Sequence, residues 1–232
     1  MAKKKKVFIA IGHGGSDPGA VANGIKEKDA ALVIGMSCVA ELERHGVEVL
    51  ASRYKDENDP VAERIKECNA FNPDVAVDLH LNTGGGDGAE VFHYSGGGTS
   101  KTLAKNIANE LKAAGQNLRT GDSGKADGLK TKLNADGRDY FGFIRQTNCP
   151  AVIVEHAFLD NKTDVKIVDT VAEQKALGVA DAKGILKTLG IKWKEPEQPV
   201  YTVSVAKLTK TKADKLVAQL KKDGYTATLK KA

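Results

Sequence analysis

The stretch Val7-Phe8-Ile9-Ala10-Ile11-Gly12-His13-Gly14-Gly15-Ser16-Asp17-Pro18-Gly19-Ala20 decides how the rest of the chain is read. Its first five residues are apolar and rich in β-formers, the pattern of a buried strand. The glycine-rich run that follows ends the strand and leaves His13 on a turn where backbone and ligand can approach closely. In open α/β sheets, ligands bind just beyond the carboxyl ends of the strands, which is where this turn falls. A phosphate-cradling loop is the other use of such a turn. The stretch holds neither GxxxxGK[ST] nor GxGxxG, and a histidine stands where a nucleotide loop wants small residues.

Outward from this turn, strand and helix patterns alternate. Glu27-Lys28-Asp29 opens a helix that runs to about His45 and closes at Gly46; Val47–Ala51 reads as a second strand. Asp59-Pro60 has the form of a helix start, and Pro73 ends that helix. Asp74–Leu81 and Gly88–Tyr94 are strands, and a helix spans about Thr99 to Ala114. Residues 116–148 are irregular, rich in Gly, Asp, Lys and Asn, and are expected to form a rim that contacts substrate. Pro150–Glu155 is an apolar strand, and a last helix lies within Asp164 to Leu189. The alternation predicts an α/β fold, a twisted, mixed and mostly parallel sheet flanked by helices.

Residues 192–199, with two prolines, form a short stiff linker after a main domain of residues 1–191. Beyond it, Tyr201–Val205, Lys210–Asp223 and Tyr225–Leu229 read as strand, amphipathic helix and strand, a small βαβ module over residues 200–232. So short a unit needs help to hold a core, by docking or by pairing with a second chain. Residues 191–232 carry ten lysines against four acids, so the whole formal charge of +5 originates there, and an anionic surface is its expected partner. No aromatic stripe alternates with the lysines, which argues against single-stranded nucleic acid. No apolar run is long enough to enter a membrane as a span. Lys3–Lys6 followed by a short apolar run does not make an export signal, so the chain is expected to be made in the cytoplasm. Three scattered cysteines, Cys38, Cys68 and Cys149, without a CxxC pair, indicate neither a disulfide framework nor a thiolate metal site.

Three ionisable side chains end apolar strands or follow one directly: His13, His80 and Glu155. Such placements cost stability unless each group has a partner. Glu27, at the start of the first helix, is a fourth candidate. Two imidazoles and a carboxylate are a ligand set that zinc uses catalytically, with the fourth position left to water, and a second carboxylate can then serve as general base. The spacing alone does not say which glutamate ligates.

Gly12–Ala20, Glu27-Lys28-Asp29, Asp78-Leu79-His80-Leu81-Asn82, Gly88-Ala89-Glu90-Val91, Arg145–Glu155 and Phe158-Leu159-Asp160-Asn161 together resemble the motifs of the zinc-dependent N-acetylmuramoyl-L-alanine amidases of the amidase-3 type, found in autolysins and phage endolysins. The resemblance covers about residues 6 to 190. It implies zinc ligands at His13, Glu27 and His80, a catalytic glutamate at Glu155, and hydrolysis of the amide between N-acetylmuramic acid and L-alanine in peptidoglycan. Arg145 is expected either to position a stem-peptide carboxylate, a role its bidentate guanidinium suits, or to serve in a structural ion pair. His156 departs from the small or hydroxyl residue expected at that position; its side chain should point away from that of Glu155 if the strand continues. Residues 200–232 resemble one half of a sporulation-related repeat, which implies wall binding or, with only one repeat present, homodimerisation. The enzyme would act on the wall after release from the cell. The alternatives are a zinc peptidase cutting the stem peptide and a non-catalytic wall-binding protein.

Overall fold

A computed structural model describes residues 4–196, 208–223 and 228. The chain divides into two compact units, residues 1–194 and 195–232. In the first, β1 (Lys6–Ile11) is followed by a small hairpin, β2 (Val21–Ala22) and β3 (Ile25–Lys26). Then come α1 (Glu27–Arg44), β4 (Glu48–Ala51), α2 (Val61–Phe71), β5 (Val75–Asn82) and β6 (Glu90–His93). α3 (Gly98–Ala113), β7 (Leu129–Lys130), α4 (Gly142–Gln146), β8 (Ala151–Phe158) and α5 (Val171–Thr188) complete it. Among the described residues of the second unit, α6 spans Lys210–Lys222. The two strands expected at Tyr201–Val205 and Tyr225–Leu229 lie outside the described residues, apart from Thr228.

Six strands form one sheet in the order β4-β1-β5-β8-β6-β7. Every neighbouring pair is parallel except β6 with β8. The expected α/β architecture with a mixed, mostly parallel sheet is therefore the observed one. The central strands are apolar on both faces because helices cover both, the general condition of parallel sheets. Val7, Ile9 and Ile11 of β1, Val75, Val77 and Leu79 of β5, and Val152 and Val154 of β8 pack on the side of α1, α3 and α5. Phe8, Ala10, Ala76, Ala151 and Ile153 face the other side, with Ile65 and Cys68 of α2 and Phe143 and Ile144 of α4.

α5 lies against both α1 and α3, and two glycines let it come close. A Cβ at Gly178 would overlap the Ile34 carbonyl oxygen of α1, and one at Gly184 would lie 2.6 Å from the Ile107 Cα of α3. The start of α5 is fixed by a capping box in which Thr170 and Glu173 satisfy each other's backbone N–H groups. The irregular segment 116–148 contains β7 and α4, two and five residues long, too short for hydrophobic periodicity to show. Gly178→Ala would gain about 1 kcal/mol of helix propensity. Overlap with rigid backbone outweighs that gain, and the net loss should be about 1–3 kcal/mol, read from the urea midpoint.

Candidate metal centre

The site is built where three elements end together. The Gly12 amide continues the sheet by donating to the Leu79 carbonyl, 2.9 Å, and the chain then turns at His13, whose φ of 61° lies in the left-handed region. The turn closes on itself through paired Gly14–Asp17 backbone bonds of 2.9 and 3.1 Å. Side chains hold it from outside: Asp56 accepts from the Gly15 amide and Asn58 from the Ser16 amide. Arg53, 1% exposed, donates to the Ile11, Gly12 and Lys28 carbonyls beneath it. A buried guanidinium is costly unless its donors are used, and here they anchor the turn.

Glu27 is the first residue of α1 and is 3% exposed. Its Oε1 lies 3.1 Å from His13 Nε2 and 3.0 Å from His80 Nδ1, and also accepts from the Leu81 amide. Its Oε2 accepts from the Ala20 amide at 2.8 Å. One ligand atom from each of His13, Glu27 and His80 lies within 4.8 Å of the others, so the three converge on one point. The rings of His13 and His80 meet edge to face, 5.0 Å between centroids. A Cβ on Gly12 would overlap the His80 imidazole, so only glycine leaves room for that ring.

The outer nitrogen of each imidazole has a carboxylate of its own. His13 Nδ1 is 2.8 Å from Asp17 Oδ2, and His80 Nε2 is 3.2 Å from Asp78 Oδ1. Carboxylates in this position fix the ring tautomer and raise the basicity of the nitrogen that faces a metal. Asp78, buried on β5, is held in turn by Arg64 Nη1 of α2 at 2.7 Å. The charges follow the same arrangement. Burial opposes protonation of His13, but the bond to Glu27, with Asp17, outweighs it and raises its pKa. Burial likewise opposes protonation of His80, and the Asp78 carboxylate, with Glu27, raises its pKa well above the usual value. Burial would raise the Glu27 pKa; its bonds to the two imidazoles instead hold it far below the usual carboxylate range. The pocket therefore attracts cations, and its donor set, two imidazoles and one carboxylate with their outer nitrogens oriented, fits zinc.

Glu155 lies on β8 directly opposite His80 in register, and Glu90 of β6 is opposite Glu155 on the other side. Glu155 Oε2 is buried and has no hydrogen-bond partner among the described residues. Burial pushes its pKa up to about 7; the charge of His80 opposes this, and Glu27 and Glu90 add to it. Glu90 is itself held by Asn82, 2.9 Å, and by Arg119 Nε, 3.1 Å, whose guanidinium lies on the Phe158 ring. Arg145, at the end of α4, donates through Nη1 to the carbonyls of Asp139 and Tyr140.

The structure thus brings His13, Glu27 and His80 together with Glu155 beside them on the next strand. Sequence reasoning did not single out Asp17, Asp78, Arg64 or Arg53 as parts of the site. Asp78 on an otherwise apolar strand, two residues before His80 and so on the same face, carried a readable signal. The two arginines did not, because their partners are distant in sequence.

An α/β sheet with a His–Glu–His cluster at its carboxyl edge and a buried carboxyl on the adjoining strand defines a protein with the donor set of a metal-dependent hydrolase. The chain belongs to the Amidase_3 family of N-acetylmuramoyl-L-alanine amidases, which it matches over residues 7–187. It is 32% identical to the N-acetylmuramoyl-L-alanine amidase CwlM of Bacillus licheniformis over 96% of this chain and 83% of that protein. It is 33% identical to the endolysin of Bacillus phage SPP1, over 80% of this chain and 69% of that one. Among solved structures, the amidase AmiC2 of Nostoc punctiforme superposes with a TM-score of 0.69 at 29% identity, covering 82% of this chain and 99% of that one. The protein is accordingly a peptidoglycan amidase.

The Glu155 environment has a consequence for stability. In the metal-free protein the folded state keeps this carboxyl protonated up to about pH 7, whereas at its ordinary value of 4.5 it ionises once unfolded. The folded state binds more protons between those two values, so stability falls as pH rises through that window, by up to about 3 kcal/mol. Denaturant unfolding in the presence of a chelator should show this slope, and Glu155→Gln should flatten it.

Proposed function

We propose that the protein hydrolyses the amide bond between N-acetylmuramic acid and L-alanine with a zinc ion held by His13, Glu27 and His80, and with Glu155 as general base. The observation that carries this reading is the convergence of His13 Nε2, Glu27 Oε1 and His80 Nδ1 beside Glu155 in register on the next strand. When bound, zinc supplies Lewis acidity, polarising the scissile carbonyl and making water a better nucleophile near neutral pH. Glu155, buried beside His80 and with Oε2 free of any hydrogen-bond partner among the described residues, is placed to take a proton from the attacking water. The same carboxyl then returns the proton to the leaving alanine nitrogen. Asp17 and Asp78 hold the outer nitrogens, which leaves His13 Nε2 and His80 Nδ1, both beside Glu27 Oε1, as the atoms that would hold the ion. Arg145, with Nη1 committed to backbone carbonyls, offers the rest of its guanidinium to a stem-peptide carboxylate.

Residues 1–191 are the catalytic domain in this reading, residues 192–199 the linker, and residues 200–232 a unit that binds the wall or pairs two chains. Its lysine excess favours the anionic wall. The protein acts on the wall, as the names of the CwlM and SPP1 relatives suggest, and no helix among the described residues is long and apolar enough to cross a membrane.

Glu155→Gln should keep the fold and zinc content but reduce turnover of purified sacculi by at least 10³-fold, and His80→Ala should lose the metal. Mass spectrometry of the released fragments should show free lactyl groups and new N-terminal alanine. Cleavage within the stem peptide would instead establish a peptidase, and near-normal turnover by Glu155→Gln would remove Glu155 as the base.

A further inference from the structure

We propose that the buried pair His156–Asp181 is a positioning device that sets the place of the metal ligand His80 relative to Glu155, an inference that rests on the zinc-site reading above. His156 follows Glu155 directly, but its side chain turns to the other side of the sheet, toward α5. There both it and Asp181 are wholly buried, with His156 Nε2 2.8 Å from Asp181 Oδ2. The other ring nitrogen, Nδ1, lies 2.9 Å from the His80 carbonyl oxygen. A carbonyl can only accept, so Nδ1 carries the hydrogen. The ring therefore links α5 to the backbone of the metal ligand, and Asp181 fixes the ring's orientation.

The strand geometry at this point makes the link matter. His80 pairs with Glu155 and Asn82 with Phe158, so two steps along β5 match three along β8. β8 therefore bulges at His156 and Ala157, immediately after the proposed base, where the ladder alone does not set the spacing of the two strands. The His156 imidazole spans that gap, and Gln116 Nε2 donates to the His156 carbonyl and holds the bulge from the other side. Stability alone does not call for this arrangement. A buried ionisable pair is commonly no more stabilising than an apolar pair of the same volume, and Asp181 Oδ1 is left without a partner among the described residues. What an apolar pair cannot supply is the directional bond to His80.

The test uses the full chain and four readouts: zinc affinity by chelator competition, the visible absorption spectrum of the cobalt-substituted protein, the melting temperature of the metal-free form, and kcat and KM on sacculi. His156→Leu combined with Asp181→Leu should melt within a few degrees of native, yet bind zinc about 10- to 100-fold more weakly, with a shifted cobalt spectrum and a fall in kcat rather than a rise in KM. His156→Gln, whose amide reaches Asp181 but not His80, should show the same losses. Asp181→Asn, which still orients the ring, should retain near-native zinc affinity. If the double leucine variant does not fold, His156→Gln against Asp181→Asn decides. Folded variants lacking the bond to His80 that keep native zinc affinity and kcat overturn the proposal. A native protein that binds no zinc overturns the reading of the site itself, and this inference with it.

Discussion

The structure depends on one carboxylate. Glu27 stands at the first turn of α1, where the helix dipole favours negative charge, and its two oxygens reach both imidazoles and two backbone amides. In doing so it ties the turn after β1, the start of α1 and the end of β5 into one unit. A buried carboxylate with so many partners is costly to leave unmet, and the three elements are held in register by the need to meet it. The surrounding residues serve the same end: Arg53 fills the acceptors under the turn, Gly12 makes room for His80, and Arg64 keeps Asp78 in place behind it.

Much of this arrangement was legible in the sequence. β1, β5 and β8 declare themselves as apolar runs that end in an ionisable residue, and two helices are bracketed by Asp59-Pro60 and by Gly46. His13, His80 and Glu155 were visible as polar groups ending those runs. That Glu27 rather than Glu155 clusters with the two imidazoles was not legible from spacing, because it depends on α1 returning its first residue to the carboxyl edge of the sheet. The resemblance to the amidases supplied that assignment, and the geometry brings Glu27 to the two imidazoles.

Other features left no local signal. The β2–β3 hairpin, β7 and α4 are two to five residues long, below the length at which periodicity is readable. The antiparallel pairing of β6 with β8 depends on the order of strands across the sheet. His156 stands in the sequence as an anomaly beside Glu155. As expected of a side chain next to Glu155 it points away, but toward a partner 25 residues on that only the packing of α5 reveals.

The sheet stops at each margin in a short strand, β4 of four residues and β7 of two. Open margins of a sheet are templates on which a second chain can add its own strand, and brevity is one of the ways proteins deny that template. This sheet therefore presents little unpaired backbone at its margins even when crowded. The propensity of this sheet to template fibrillar growth should be low, whatever the state of the metal centre beside it.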